Sequence, residues 1–109
     1  MKNLRDIQWS KTEKRVARKA FDTAYKKECA SITKQAFKLL DVVKEPNDIW
    51  KVHDLLTTKR EEVDRKYDYR YSVLILVFST LIKEGWLKIE DLAGLSDEKL
   101  VRIKTICNL

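Results

Sequence analysis

Apolar residues recur in steps of three and four along most of the chain. Ser10-Lys11-Thr12-Glu13 is a capping box, with Ser10 as N-cap and Glu13 at the third helical position. Behind it come Val16/Ala17, Ala20/Phe21, Ala24/Tyr25, Cys29, Ile32, Ala36, Leu39/Leu40 and Val43, a helical stripe unbroken before Pro46. The residue before a proline resists αR geometry, so this helix is expected to stop near Lys44-Glu45. It spans about 34 residues, or roughly 50 Å at 1.5 Å per residue. A second helix is predicted to open around Pro46-Asn47-Asp48, where proline suits the first turn and Asp48 faces the positive end of the macrodipole. Its core stripe reads Ile49, Val52, Leu56, Val63 and Tyr67. The charged run Glu61 to Arg70 leaves helix and short bend both open. Tyr71 to Ile82 is β-branched and apolar all round, which on propensity alone suits a strand. Its length and helical surroundings favour a buried central helix, closed by Gly85 in the left-handed region. Leu87, Ile89 and Leu92 predict one short turn before Gly94. A last helix follows, with Ser96 as N-cap, Leu95 stapled onto Leu100, and Leu100, Ile103 and Cys107 on its apolar side.

The pattern predicts an all-α fold: one domain over residues 1–109, with a helical stem at about 10–66 and a small C-terminal head at about 70–109. Only two glycines and one proline occur in 109 residues, which argues against a turn-rich β architecture. The same scarcity rules out G-x-G-x-x-G and P-loop phosphate cradles. The longest uncharged stretch, Tyr71 to Ile82, is far short of the roughly twenty residues of a membrane span. Met1 to Asp6 lacks the apolar core of a signal peptide. Cys29, Cys107 and the single His53 supply neither a disulfide framework nor a metal-ligand set, so no metal and no cofactor are expected. Both thiols read as small apolar fillers in a reducing cytosol. The first helix carries a further implication. A compact domain of this size has a radius of gyration of about 13 Å, a sphere some 34 Å across. A 50 Å helix overhangs it, yet its apolar stripe continues to the end. A twofold homodimer through the long helices covers the overhang; a kinked helix folding back is the alternative.

Charge is uneven. Residues 1–45 carry twelve Lys/Arg against six Asp/Glu, so the whole net charge of +6 lies before Pro46. A basic helix of this kind suits phosphates, an acidic protein face or solvent. No zinc-finger spacing or aromatic RNP pattern accompanies it. The one concentrated oddity is Trp50, His53, Asp54, Thr57 and Arg60, which share one side of the second helix. As sequence neighbours, His53 and Asp54 point about 100° apart on a helix and form no relay. No serine or cysteine lies near them in sequence to act as nucleophile. Two readings stay open. Trp50 fills a helix seam while His53, Asp54 and Arg60 satisfy one another, or the stripe is a binding surface of Trp and Arg anchors. Tyr67, Tyr69, Tyr71 and Trp86 read as a core edge with hydroxyls in water.

Trp50-Lys51-Val52-His53-Asp54-Leu55-Leu56, Lys59-Arg60, Lys66-Tyr67-Asp68, Ser72-Val73, Val77-Phe78 and Lys83-Glu84-Gly85, with Trp9-Ser10 and the basic-apolar first helix, resemble the fluorescence recovery protein family of cyanobacteria. The resemblance spans about residues 9–105. It implies a non-enzymatic, all-helical homodimer that binds the light-activated red form of the orange carotenoid protein, chiefly at its C-terminal domain. Such a protein speeds return to the orange form and detachment from the phycobilisome, which ends photoprotective quenching. It implies a cytoplasmic setting at the thylakoid face, without membrane insertion and without nucleic acid. The family's important positions match Trp50, His53, Asp54 and Arg60, as partner-binding or dimer-interface residues. In the head it points to Leu76, where some members carry Phe, and to Arg102 and Lys104. The first helix here is more basic than the family norm. The competing expectation is a basic helical dimer that binds nucleic acid.

Overall fold

The computed structural model describes residues 3–109; Met1 and Lys2, where the N-terminal reading begins, lie outside the described residues. Four α-helices follow in order: α1 (Lys11–Asp41), α2 (Ile49–Lys66), α3 (Leu74–Lys83) and α4 (Asp97–Cys107). Short 3-10 turns occupy Leu4–Asp6, Pro46–Asp48 and Ile89–Leu92. No β-strand forms among the described residues. The capping box is complete: the Glu13 amide donates to Ser10 Oγ at 3.1 Å and the Ser10 amide to Glu13 Oε1 at 2.9 Å. α1 ends at Asp41, a few residues before the expected stop. The Asp48 carboxylate accepts from the amides of Lys44 and Glu45, both at 3.1 Å, and so organises the turn ahead of Pro46. The apolar run Tyr71 to Ile82 becomes helix from Leu74 onward, with a turn before it. Leu74, Phe78 and Leu81 show no exposed surface, so burial overrides their strand propensity. α3 closes as the sequence suggests. Gly85 sits at φ +85°, its amide bonded to the Ile82 carbonyl and that of Trp86 to Leu81, a Schellman arrangement.

The main core joins α3, α4 and the first half of α1. Ala17, Ala20 and Ala24 are buried to within a few percent and share one apolar cluster with side chains of α3 and α4. The stem has only Val52 and Val63 buried on α2. Ile49 and Leu56, predicted as core, are 40% and 45% exposed. They fail because α2 packs on one neighbour only, so a narrow Val52/Val63 strip is covered and the flanking positions are not. The molecule is elongated, 57 × 27 × 22 Å, with a radius of gyration of 17.1 Å.

Glu13 does more than cap α1. Its Oε2 accepts from the Ser96 amide at 2.9 Å and lies 2.9 Å from Lys99 Nζ, tying the starts of α1 and α4 together. Lys99 Nζ also donates to the Gln8 carbonyl at 2.7 Å and lies over the Trp9 ring. Burial alone would raise the Glu13 pKa. Hydrogen bonds from Ser10, Lys99 and Ser96 overturn that and hold it at about 2, below the ordinary 4.5. Because the folded value is the lower one, this contribution is complete above pH 4.5 and fades as pH falls through 4.5 toward 2. Glu13→Gln is expected to flatten that part of the pH–stability curve. It should also cost about 3 kcal/mol at neutral pH by chemical denaturation, because Lys99 is left buried without its counter-charge. Glycine substitutions should separate two effects. A methyl group added at Gly85 (φ +85°) would meet open space, whereas a Cβ on Gly94 (φ +111°) would lie 2.8 Å from Val16 Cγ2. Gly85→Ala is expected to cost about 1 kcal/mol, and Gly94→Ala at least about twice that, in the same unfolding measurement.

Candidate functional site

The stripe on α2 faces solvent. Trp50 is 61% exposed, and the side chains of His53, Asp54 and Arg60 are exposed by 69%, 80% and 81%. His53, Leu56, Thr57, Arg60 and Glu61 line one shallow depression of about 410 Å³. Arg60 does not pair with Asp54. Its Nε donates to Asp64 Oδ2 at 3.3 Å, one turn further along α2. Asp54 instead stands 3.6 Å from His53 Nδ1, closer than neighbouring helix positions suggest but too far for a hydrogen bond. The expectation that His53, Asp54 and Arg60 satisfy one another is therefore not met within one chain, and no intramolecular seam covers Trp50. Along the same stem lie Phe37 and Leu40 of α1, Val43 of the connection after it, and Ile49 and Leu56 of α2, all exposed. This amounts to an extended apolar face interspersed with charges, the composition of a binding surface.

A second feature was not visible in sequence. Lys66, the last residue of α2, lies 2.7 Å from Glu28 of α1 and 2.6 Å from Glu84 after α3. The Tyr67 hydroxyl donates to the other Glu28 oxygen at 2.9 Å, and the Trp86 indole donates to Glu84 at 3.2 Å. Burial would lower the Lys66 pKa; its hydrogen bonds to Glu28 and Glu84 raise it instead. Burial, then the bond to Glu28, pushes the Tyr67 phenol far above its usual value. Its hydroxyl is thus a committed donor, not a group in water as the sequence suggested. This cluster lies along a groove of about 570 Å³ between α2 and α3, where Leu76, 47% exposed, projects beside Val73, Val77 and Trp86. One clue was available: Glu28 falls in phase with Phe21 and Ala24 on the buried side of α1. Of the other head candidates, the Arg102 side chain is only 9% exposed and lies 3.8 Å from Glu98, whereas Lys104 is exposed. Arg102 thus offers little surface to a partner. No group of three His, Cys, Asp or Glu side chains able to hold a metal occurs among the described residues.

An uncovered apolar stem on an all-helical scaffold is the usual mark of an interaction surface. Similarity to known proteins shows the family. The chain matches the family profile described as photoprotection regulator fluorescence recovery protein over residues 9–107, and it belongs to that family, whose members are regulators and not enzymes. It is 39% identical, over 93% of each chain, to the fluorescence recovery protein of Synechocystis sp. PCC 6803. The solved fluorescence recovery protein of Fremyella diplosiphon is 42% identical with a TM-score of 0.86, across 94% of this chain and 100% of the other. The Synechocystis protein's structure gives 37% identity and the same TM-score over the same shares of the two chains. The R60K mutant of that protein, at 36% identity, superposes equally well.

Two substitutions should separate surface from structure. Asp64→Asn is expected to change stability by less than about 0.5 kcal/mol, since its partner Arg60 is solvated. Lys66→Met should cost about 3 kcal/mol in the same denaturation experiment, because it strands Glu28 as a buried, unpaired carboxylate.

Proposed function

We propose that this chain binds the light-activated red form of the orange carotenoid protein, speeds its return to the orange form and promotes its detachment from the phycobilisome. Family membership supports the reading, and the single structural observation that carries it is the exposure of Trp50, His53, Asp54 and Arg60 together. A core would have hidden them. A protein accelerates a conformational return by binding its transition state more tightly than its starting state, so no covalent step is needed. Arg60 supplies a planar fork for a carboxylate, held in the single chain only by a solvated bond to Asp64. Trp50 supplies apolar contact area.

The working form is a homodimer. An elongated protomer leaves Phe37, Leu40, Val43, Ile49 and Leu56 uncovered along the stem, and a second stem is the simplest cover. Partner residues and dimer residues therefore overlap on α2. The chain acts in the cytoplasm, at the thylakoid face. No helix among the described residues is long and apolar enough to cross a membrane.

The decisive measurement is the dark reversion of photoconverted carotenoid protein, followed by absorbance. Substoichiometric chain should accelerate it. Trp50→Ala is expected to lower the acceleration at least about tenfold. Arg60→Lys should lower it several-fold, because it keeps the charge and loses the fork. No acceleration by the wild-type chain at any salt concentration would sink the reading. In sedimentation velocity the wild type should run as a dimer at micromolar concentration and Leu40→Glu as a monomer.

A further inference from the structure

We propose that the outer face of the first half of α1 is a second docking surface, which receives an acidic protein face and acts on capture of the partner more than on retention. The inference rests on the reading of the chain as a protein-binding regulator, and it concerns a surface separate from the α2 stripe.

The fold sorts charge along α1. Residues 11–28 contain Lys11, Lys14, Arg15, Arg18, Lys19, Lys26 and Lys27 against Glu13, Asp22 and Glu28. All seven cations have solvent-accessible side chains. Two of the three carboxylates turn inward: Glu13 is 8% exposed beside Lys99, and Glu28 is 5% exposed beside Lys66. Each is matched by a lysine from another helix, so neither offsets the outer face. Lys11, Arg15, Arg18, Asp22, Lys19 and Lys26 fall within an arc of about 100°, opposite the Glu13/Ala17/Ala24/Glu28 side. This face is about 22 Å long and carries five cations and one carboxylate, Asp22, which pairs with Arg18 at 3.5 Å. The turn after α3 brings Glu90 and Asp91 near Lys19 across a shallow cavity, which tempers the field on that flank only. Lys11 and Lys26 have no hydrogen-bond or ion-pair partner among the described residues.

What such a face suits follows from what it lacks. Its one exposed large aromatic, Tyr25 at the edge of the arc, is 44% exposed with its ring packed against Tyr67, too little to wedge into a bilayer. Its neighbouring aromatic rings are already occupied: Arg18 lies 4.4 Å from the Tyr69 centroid and Lys14 5.2 Å from that of Tyr71. Tyr25 alone is a poor platform for a run of unpaired bases, which stack on successive rings. A rigid row of solvated cations with few directional contacts raises encounter rate at low salt and adds little to residence time. An acidic patch on a folded protein is the matching occupant.

The test compares two variants of equal charge change, Arg15→Glu/Lys26→Glu on this face and Lys34→Glu/Lys38→Glu on the stem, with helicity checked by circular dichroism. Association with red carotenoid protein is followed by stopped flow at about 50 and about 300 mM salt. The face variant should associate about tenfold more slowly at low salt, lose most of the salt dependence and keep its dissociation rate within about twofold. The stem variant should stay within about twofold of wild type. Equal losses in both variants, or no loss in the face variant, overturn the proposal. If the wild-type chain does not bind carotenoid protein at all, the functional reading fails separately, and the face is tested by fluorescence anisotropy with poly-L-glutamate and a short DNA duplex. Poly-L-glutamate binding weakened about tenfold in the face variant alone then supports the surface. Tighter binding to duplex than to poly-L-glutamate assigns it to nucleic acid and overturns the protein partner.

Discussion

The buried side of α1 is the constraint on which the rest of the structure depends. Glu13 and Glu28 stand fifteen residues apart on that side, about 22 Å along the axis. Each is matched by a lysine distant in sequence, Lys99 from α4 and Lys66 from the end of α2. Buried ion pairs are weak evidence of net stability, because desolvation offsets much of their attraction. Their effect here is on specificity. A shifted register would leave a charge buried without a partner, so the two pairs fix where α4 begins and where α2 ends. Between them Ala17, Ala20 and Ala24 belong to the apolar cluster that α3 and α4 complete.

That closure accounts for the shape. The head consumes the first half of α1, and little apolar surface remains in the chain to cover the second half. The observed radius of gyration of 17.1 Å exceeds the roughly 13 Å of a compact domain of this length. The stem is thus a two-helix arm with one narrow buried strip, Val52 and Val63, and apolar residues on both flanks. An arm of this kind leaves apolar side chains in water, and these are the residues that the proposed dimer covers.

Much of this was legible in the sequence. The Ser10 capping box, the stop near Pro46, the Gly85 closure and the Ser96 cap each rest on local chemistry, and local chemistry is what a single chain displays. The stripe of Trp50, His53, Asp54 and Arg60 was legible as a shared helix face. Its partners were not: Arg60 took Asp64 because that carboxylate lies one turn away, and nothing holds Asp54 across from it. The core status of Ile49 and Leu56 was misjudged because periodicity reports which side is apolar, not whether a neighbour covers it. Tyr67 was misread because its acceptor, Glu28, lies 39 positions away. Long-range pairings of this sort leave one trace, a charged residue in phase with an apolar stripe, and both Glu13 and Glu28 show it.

The same helical phase divides stability from recognition. On α1 the inward arc carries carboxylates and alanines, and the outward arc carries cations. Substitutions on the first arc act through packing and buried charge; substitutions on the second change mainly the field, Arg18 excepted, which also lies over the Tyr69 and Phe21 rings. α2 repeats the division more thinly, with Val52 and Val63 inward and Trp50, His53 and Arg60 outward. On both helices the unburied half is largely free of packing duties. Under the proposed function, binding uses that half of each helix, where charge can change at little cost to the fold. The excess of cations on the outer face of α1 follows from the inward turn of Glu13 and Glu28.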